Sequence, residues 1–79
     1  MKYALIRNDE KTAIAVGYLN PNPIQVGSRV WVGSLSSREG WTTTEVTEIY
    51  EDGMSFKTLN NQYRVIPLDD YYNNDKHGW

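Results

Sequence analysis

The sequence predicts an all-β domain. Apolar residues recur in short alternating runs rich in Val, Thr and Tyr, and no long helical period or solenoid repeat runs through the chain. Turn-forming dipeptides punctuate the runs at Asp52-Gly53 and Asn60-Asn61. Seventy-nine residues make a single domain near the lower end of what folds without staples. It divides into a hairpin over 1–19, a body over 26–68 and a tail over 69–79.

The first runs, KYALIR and TAIAVGY, flank a polar turn from Asn8 to Lys11 and predict a hairpin. Tyr3 and Leu5 should share a face with Ile14, Val16 and Tyr18. The opposite face then holds Ala4, Ile6, Ala13, Ala15 and Gly17, small enough to let another element approach. The segment from Leu19 to Gln25 is a connector, because Pro21 and Pro23 cannot donate to a ladder.

The body opens with VGSRVWV, in which Val26, Ser28, Val30 and Val32 face one way and Arg29 and Trp31 the other. Gly33 to Gly40 reads as a polar loop. Three further runs form a meander. With Asp52-Gly53 central to a tight hairpin, Ile49 meets Phe56, Glu48 meets Lys57, Thr47 meets Thr58 and Val46 meets Leu59. With Asn60-Asn61 central to the next, Thr58 meets Tyr63, Lys57 meets Arg64 and Phe56 meets Val65. Ile49, Phe56, Val65 and Tyr63 then share a core face, and Glu48, Lys57 and Arg64 share a wet one. Val46, Tyr50, Leu59 and Ile66 fall on the wet side in this register. Either a bulge near Val46 re-aims the strand or another element, such as the first hairpin, covers that margin.

A three-stranded meander with one apolar face needs cover. The order of strand, long loop and tight meander over 26–68 resembles the SH3-like small barrel of Tudor and KOW-type domains. That resemblance implies a partly open barrel built from the meander, with the N-terminal β-hairpin added. The wording of 41–63 also resembles a pattern of short phage and bacterial proteins, W-x-T-S-x-V followed by T-x-N-S-x-Y. Trp41, Thr43, Val46, Thr58, Asn60 and Tyr63 match it, while Thr44 and Asn61 replace its serines. The resemblance implies an SH3-like fold and a phage or mobile-element origin, and it supplies no active site.

Composition narrows the function. Ten acids against eight bases give a net charge of −2, which argues against a general duplex-DNA binder. Without cysteine there is no disulfide framework and no thiolate metal site, and the chain suits a reducing compartment such as the cytoplasm, that of a host cell if phage-encoded. No apolar run approaches the roughly 20 residues that span a bilayer, and charges arrive too early for a secretory leader. We therefore expect a soluble protein with no membrane partner. The single histidine, His77, lacks triad or zinc companions. The acids around Glu45, Glu48, Glu51 and Asp52 read as a solvated surface rather than a general acid–base pair. Neither an enzyme nor a cofactor or metal site is expected.

Three Trp and six Tyr exceed what one small core needs, so aromatics are the stronger signal. Trp31 beside Arg29, Trp41 at the loop rim, Tyr50, and the tail residues Tyr71, Tyr72 and Trp79 are candidate partner-binding residues. Trp31 is read equally well as covered by the first hairpin, and Trp41 as a plug of the barrel end. Arg29 with Ser36, Ser37 and Arg38 is a candidate phosphate or nucleotide site. The leading expectation is a non-enzymatic binding module that occludes a host protein. A nucleotide or short nucleic-acid binder and a homo-oligomeric structural component are the alternatives.

Overall fold

The computed structural model describes the backbone of residues 1–36 and 39–76 and side chains to Asn73. Six strands, β1 (Tyr3–Arg7), β2 (Ala15–Asn20), β3 (Arg29–Gly33), β4 (Gly40–Ile49), β5 (Ser55–Thr58) and β6 (Gln62–Pro67), precede one helix, α1 (Leu68–Lys76). Each strand pairs antiparallel with the next, and β6 returns to β1, so the sheet closes into a barrel rather than staying partly open. Closure removes the free edges that a small sheet would otherwise expose.

β4 makes the closure possible by bending twice. Its register slips against β3 between Arg29 and Trp31, and against β5 between Val46 and Glu48. At the first slip the buried Thr43 hydroxyl accepts the Val30 amide at 3.0 Å and donates to the Thr44 carbonyl at 2.7 Å. A side chain thus fills the gap that the bulge opens in the ladder. At the second, Thr47 is the extra residue, and Val46 opposes Thr58 instead of Leu59. The bulge near Val46 is the device that turns this valine into the core, where it is 2 % exposed.

The core joins Leu5, Ile24, Val30, Val32, Val46, Phe56, Tyr63 and Val65. Phe56 and Tyr63 stack at its centre with ring centroids 5.2 Å apart, and Ile24 enters from the connector. The pairs Ile49–Phe56 and Glu48–Lys57 stand as expected. The next hairpin differs: Phe56 opposes Tyr63 and Lys57 opposes Gln62. Its turn centres on Leu59-Asn60, with the Thr58 amide donating to the Asn61 carbonyl at 2.9 Å. The displacement is two residues, so every side chain keeps its face, and Leu59 stands at the tip, 82 % exposed.

The first hairpin corrects the expected faces. Tyr3 opposes Gly17 and Leu5 opposes Ala15 on the inner side, while Ala4 opposes Val16 on the outer side. The small residues Ala15 and Gly17 therefore look inward, and Val16 and Tyr18 outward. Ala4 and Ile6, also outward, are fully buried. Within the tail, for which the sequence assigned no element, Leu68–Lys76 forms a helix that contacts β1 and β6. Pro67 ends β6, Asp69 and Asp70 sit in the first turn where the helix dipole favours acids, and Leu68, Tyr71 and Tyr72 share a face.

Candidate binding surfaces

The aromatic side chains singled out by the sequence separate into three places. Trp31 lies on the outside of β3 and is half-buried. Its indole rests on the glycine pair Gly33–Gly40: a Cβ at Gly33 would stand 2.8 Å from Cζ2, and one at Gly40 2.7 Å from Nε1. The missing side chains make room for the ring, and the ring covers bare backbone. Tyr18, opposite Gly33, continues the same outer face at 41 % exposed.

Two adjoining grooves flank this wall and share Val16 and Ser34. One, of about 470 Å³, runs between Tyr18, Leu35, Leu68 and Tyr72. The other, of about 480 Å³, runs along Ala13 to Val16 towards Glu39 and Gly40. Val16, Leu35 and Tyr72 are all exposed, and the Lys2 ammonium sits 5.9 Å from the Tyr18 ring centroid. α1 holds its place through Tyr71, whose half-buried hydroxyl accepts the Ala13 amide at 3.0 Å. Tyr71 is thereby an anchor of the helix, and Tyr72, tilted against it at 5.6 Å, is the exposed member.

Trp41 stands elsewhere. It opposes the inward Val32, so it faces the lumen at one barrel mouth. The Arg7 guanidinium lies 5.3 Å from its ring centroid, and Arg7 Nε donates to Glu10 Oε2 at 2.8 Å. That hydrogen bond and the Glu10 charge raise the Arg7 pKa further above its ordinary value. Trp41 is 37 % exposed there, with the Arg7 guanidinium over its ring. Thr43, Val46, Thr58 and Tyr63 are all buried.

Tyr50 borders a third groove, of about 450 Å³, on the outer side of β5 and β6. Arg29 opposes Glu45 at the start of β3, whereas Ser36 follows the strand's far end. Five residues of strand span roughly 13 Å, so Arg29 and Ser36 do not converge. Ser36 Oγ instead lies 3.1 Å from Ser34 Oγ. Ser37, Arg38 and Trp79 lie outside the described residues.

Sequence reasoning did not single out Tyr18, Val16 and Leu35; it placed the first two on the face shared with Tyr3 and Leu5, whereas they look outward. The usable signal was the glycine at 17, opposite Tyr3 in the barrel, which has no side chain to fill the inner layer. No family model matches the chain, and no curated protein or solved structure matches it either.

Proposed function

We propose that the chain is a non-enzymatic protein-binding module that docks through the outer wall of Tyr18, Trp31 and Tyr72. The observation that carries this reading is the union of exposed Val16, Tyr18, Leu35 and Tyr72 around two adjoining grooves, with the half-buried Trp31 ring over Gly33 and Gly40 on the same outer face. Large aromatics in a depression with few charges are the residue types that dominate protein–protein binding energy. Lys2 and Glu39 give the rim one charge of each sign, which suits a partner of mixed surface rather than a polyanion.

The finer assignment is an SH3-like barrel of phage or mobile-element origin that occludes a host protein in the host cytoplasm. It rests on the pattern matched by Trp41, Thr43, Val46, Thr58, Asn60 and Tyr63. Affinity capture from bacterial lysate tests the reading, using the native chain, a Tyr18→Ala/Tyr72→Ala variant, and Arg29→Ala as an off-site control. The expected result is one stoichiometric partner retained by the native chain and the control and lost with the paired variant. Retention indifferent to the wall substitutions sinks the proposal. So does a homodimer in light scattering that the same substitutions dissolve, since the wall would then belong to a second copy.

A further inference from the structure

The third groove lies on a different side of the barrel and has different chemistry. Ser55 and Arg64 oppose each other on β5 and β6, facing out between the inward Phe56, Tyr63 and Val65. Tyr50, whose amide donates to the Ser55 carbonyl at 2.8 Å, forms one wall. The turn after β1 forms the other and brings Asp9 and Lys11 to the groove.

That second wall is held firmly. Asn8 adopts a left-handed backbone, φ 53°, which asparagine tolerates better than most residues. Its side chain accepts the Gln62 amide at 2.9 Å and donates to Asn61 Oδ1 at 3.0 Å. The turn is thereby pinned to β6 and the turn preceding it. Glu10, which also lines the groove, is already paired with Arg7 at 2.8 Å. The remaining charges are Arg64 and Lys11 against Asp9.

We propose that this groove binds a nucleoside monophosphate: a planar ring against Tyr50, a phosphate against Arg64 and Lys11, and sugar hydroxyls donating to Asp9. Each part of that ligand class meets a group of matching chemistry. An exposed tyrosine face stacks any base, a guanidinium and an ammonium suit a phosphate, and a carboxylate accepts hydroxyl protons. The volume of about 450 Å³ lies within the range of small-ligand sites. This site is independent of the aromatic wall and does not use Arg29 or Ser36.

Calorimetric titration of the full chain with AMP, GMP, CMP, UMP and inorganic phosphate tests it. At least one nucleotide should bind one-to-one and more tightly than phosphate. Arg64→Gln should weaken that nucleotide about 10–100-fold, and Tyr50→Ala about 5–100-fold without changing phosphate binding. Arg29→Gln should change nothing. In the native chain, amide shifts on titration should centre on Asn8, Ser55, Gln62 and Arg64, a readout that needs no variant. Absence of saturation for every nucleotide, phosphate binding as tightly as any nucleotide, or affinity indifferent to both substitutions overturns the proposal.

Discussion

The outer faces of β2–β3–β4 and of β4–β5–β6 belong to one barrel yet are built in opposite ways. The first is crowded. Gly33 and Gly40 bring β3 and β4 together under the Trp31 indole, and the inward-looking Gly17 lets β2 close onto the Gly33 backbone. The second is open, with Glu48 facing Lys57, Ser55 facing Arg64, and space beside Gly53 in which an added Cβ would meet nothing within 4 Å. Crowding leaves aromatic surface that water covers poorly, and openness leaves charged surface that it covers well. The protein-binding reading therefore falls on the first face and the small-ligand reading on the second.

The comparison breaks most sharply at its glycines. Gly17 has φ 140°, and a Cβ there would overlap the Gly33 carbonyl, which is backbone and cannot yield. Gly17→Ala should cost about 3 kcal/mol or more, the sum of overpacking and an unfavourable backbone region. Gly53→Ala, at φ 71° in open space, should cost only about 1–2 kcal/mol. Urea unfolding of both variants decides it, and equal losses would mean that the close approach of β2 and β3 is not a real constraint.

Trp31 sharpens the same contrast. Its ring is half-buried on the glycine pair, so Trp31→Ala should lose about 2 kcal/mol, less than a core Trp or Phe truncation. Tyr18→Ala, removing a more exposed ring beside it, should stay within about 1 kcal/mol. Thermal midpoints in that order support Trp31 as a cover for backbone, whereas an unchanged midpoint for Trp31→Ala would make it surface ornament.

How much of this was legible follows from which contacts are local. The turn around Asp52-Gly53 placed Ile49 on Phe56 and Glu48 on Lys57, because turn chemistry and alternation reinforce each other over a dozen residues, although the loop is closed by Tyr50 and Ser55 rather than by its two central residues alone. The next turn was misplaced by one residue, which shifts its strand pairing by two. Asn61 is held by Asn8, 53 positions away in the chain, and no short-range pattern carries that contact. In the first hairpin the alternation of β1 held but its pairing with β2 did not: Leu5 is buried in the core and Ala4 and Ile6 are also fully buried, so both faces of β1 are apolar and neither dictates which face of β2 joins Leu5. The helix was missed because nine residues with Leu68, Tyr71 and Tyr72 as their apolar side are too short for a period to show. The acidic pair after Pro67 was the available signal. Of the candidate binding residues, Trp31 and Tyr72 came to adjoining parts of one wall, but Tyr18 joined them only once the faces of β2 were known.

The smallest effect tests the open face at its turn. Asp52 accepts the Met54 and Ser55 amides at 2.9 and 2.8 Å on Oδ1, and the Ser55 hydroxyl at 2.8 Å on Oδ2. The Met54 amide first, then the two bonds from Ser55, hold its pKa below the ordinary value of 3.8. A carboxylate with a depressed folded-state pKa adds stability above its unfolded value and loses it as pH falls through the folded one. Asp52→Asn keeps an acceptor on one side only and should cost about 0.5–1 kcal/mol at neutral pH, discounted because the turn is exposed to solvent. The gap between native and variant proteins should shrink as pH falls below 3.8, while the Gly17→Ala gap should not move. A constant Asp52→Asn gap at acid pH would show that the turn is held by Gly53 and the cross-strand pairs alone, and the open face would then owe nothing to its carboxylate.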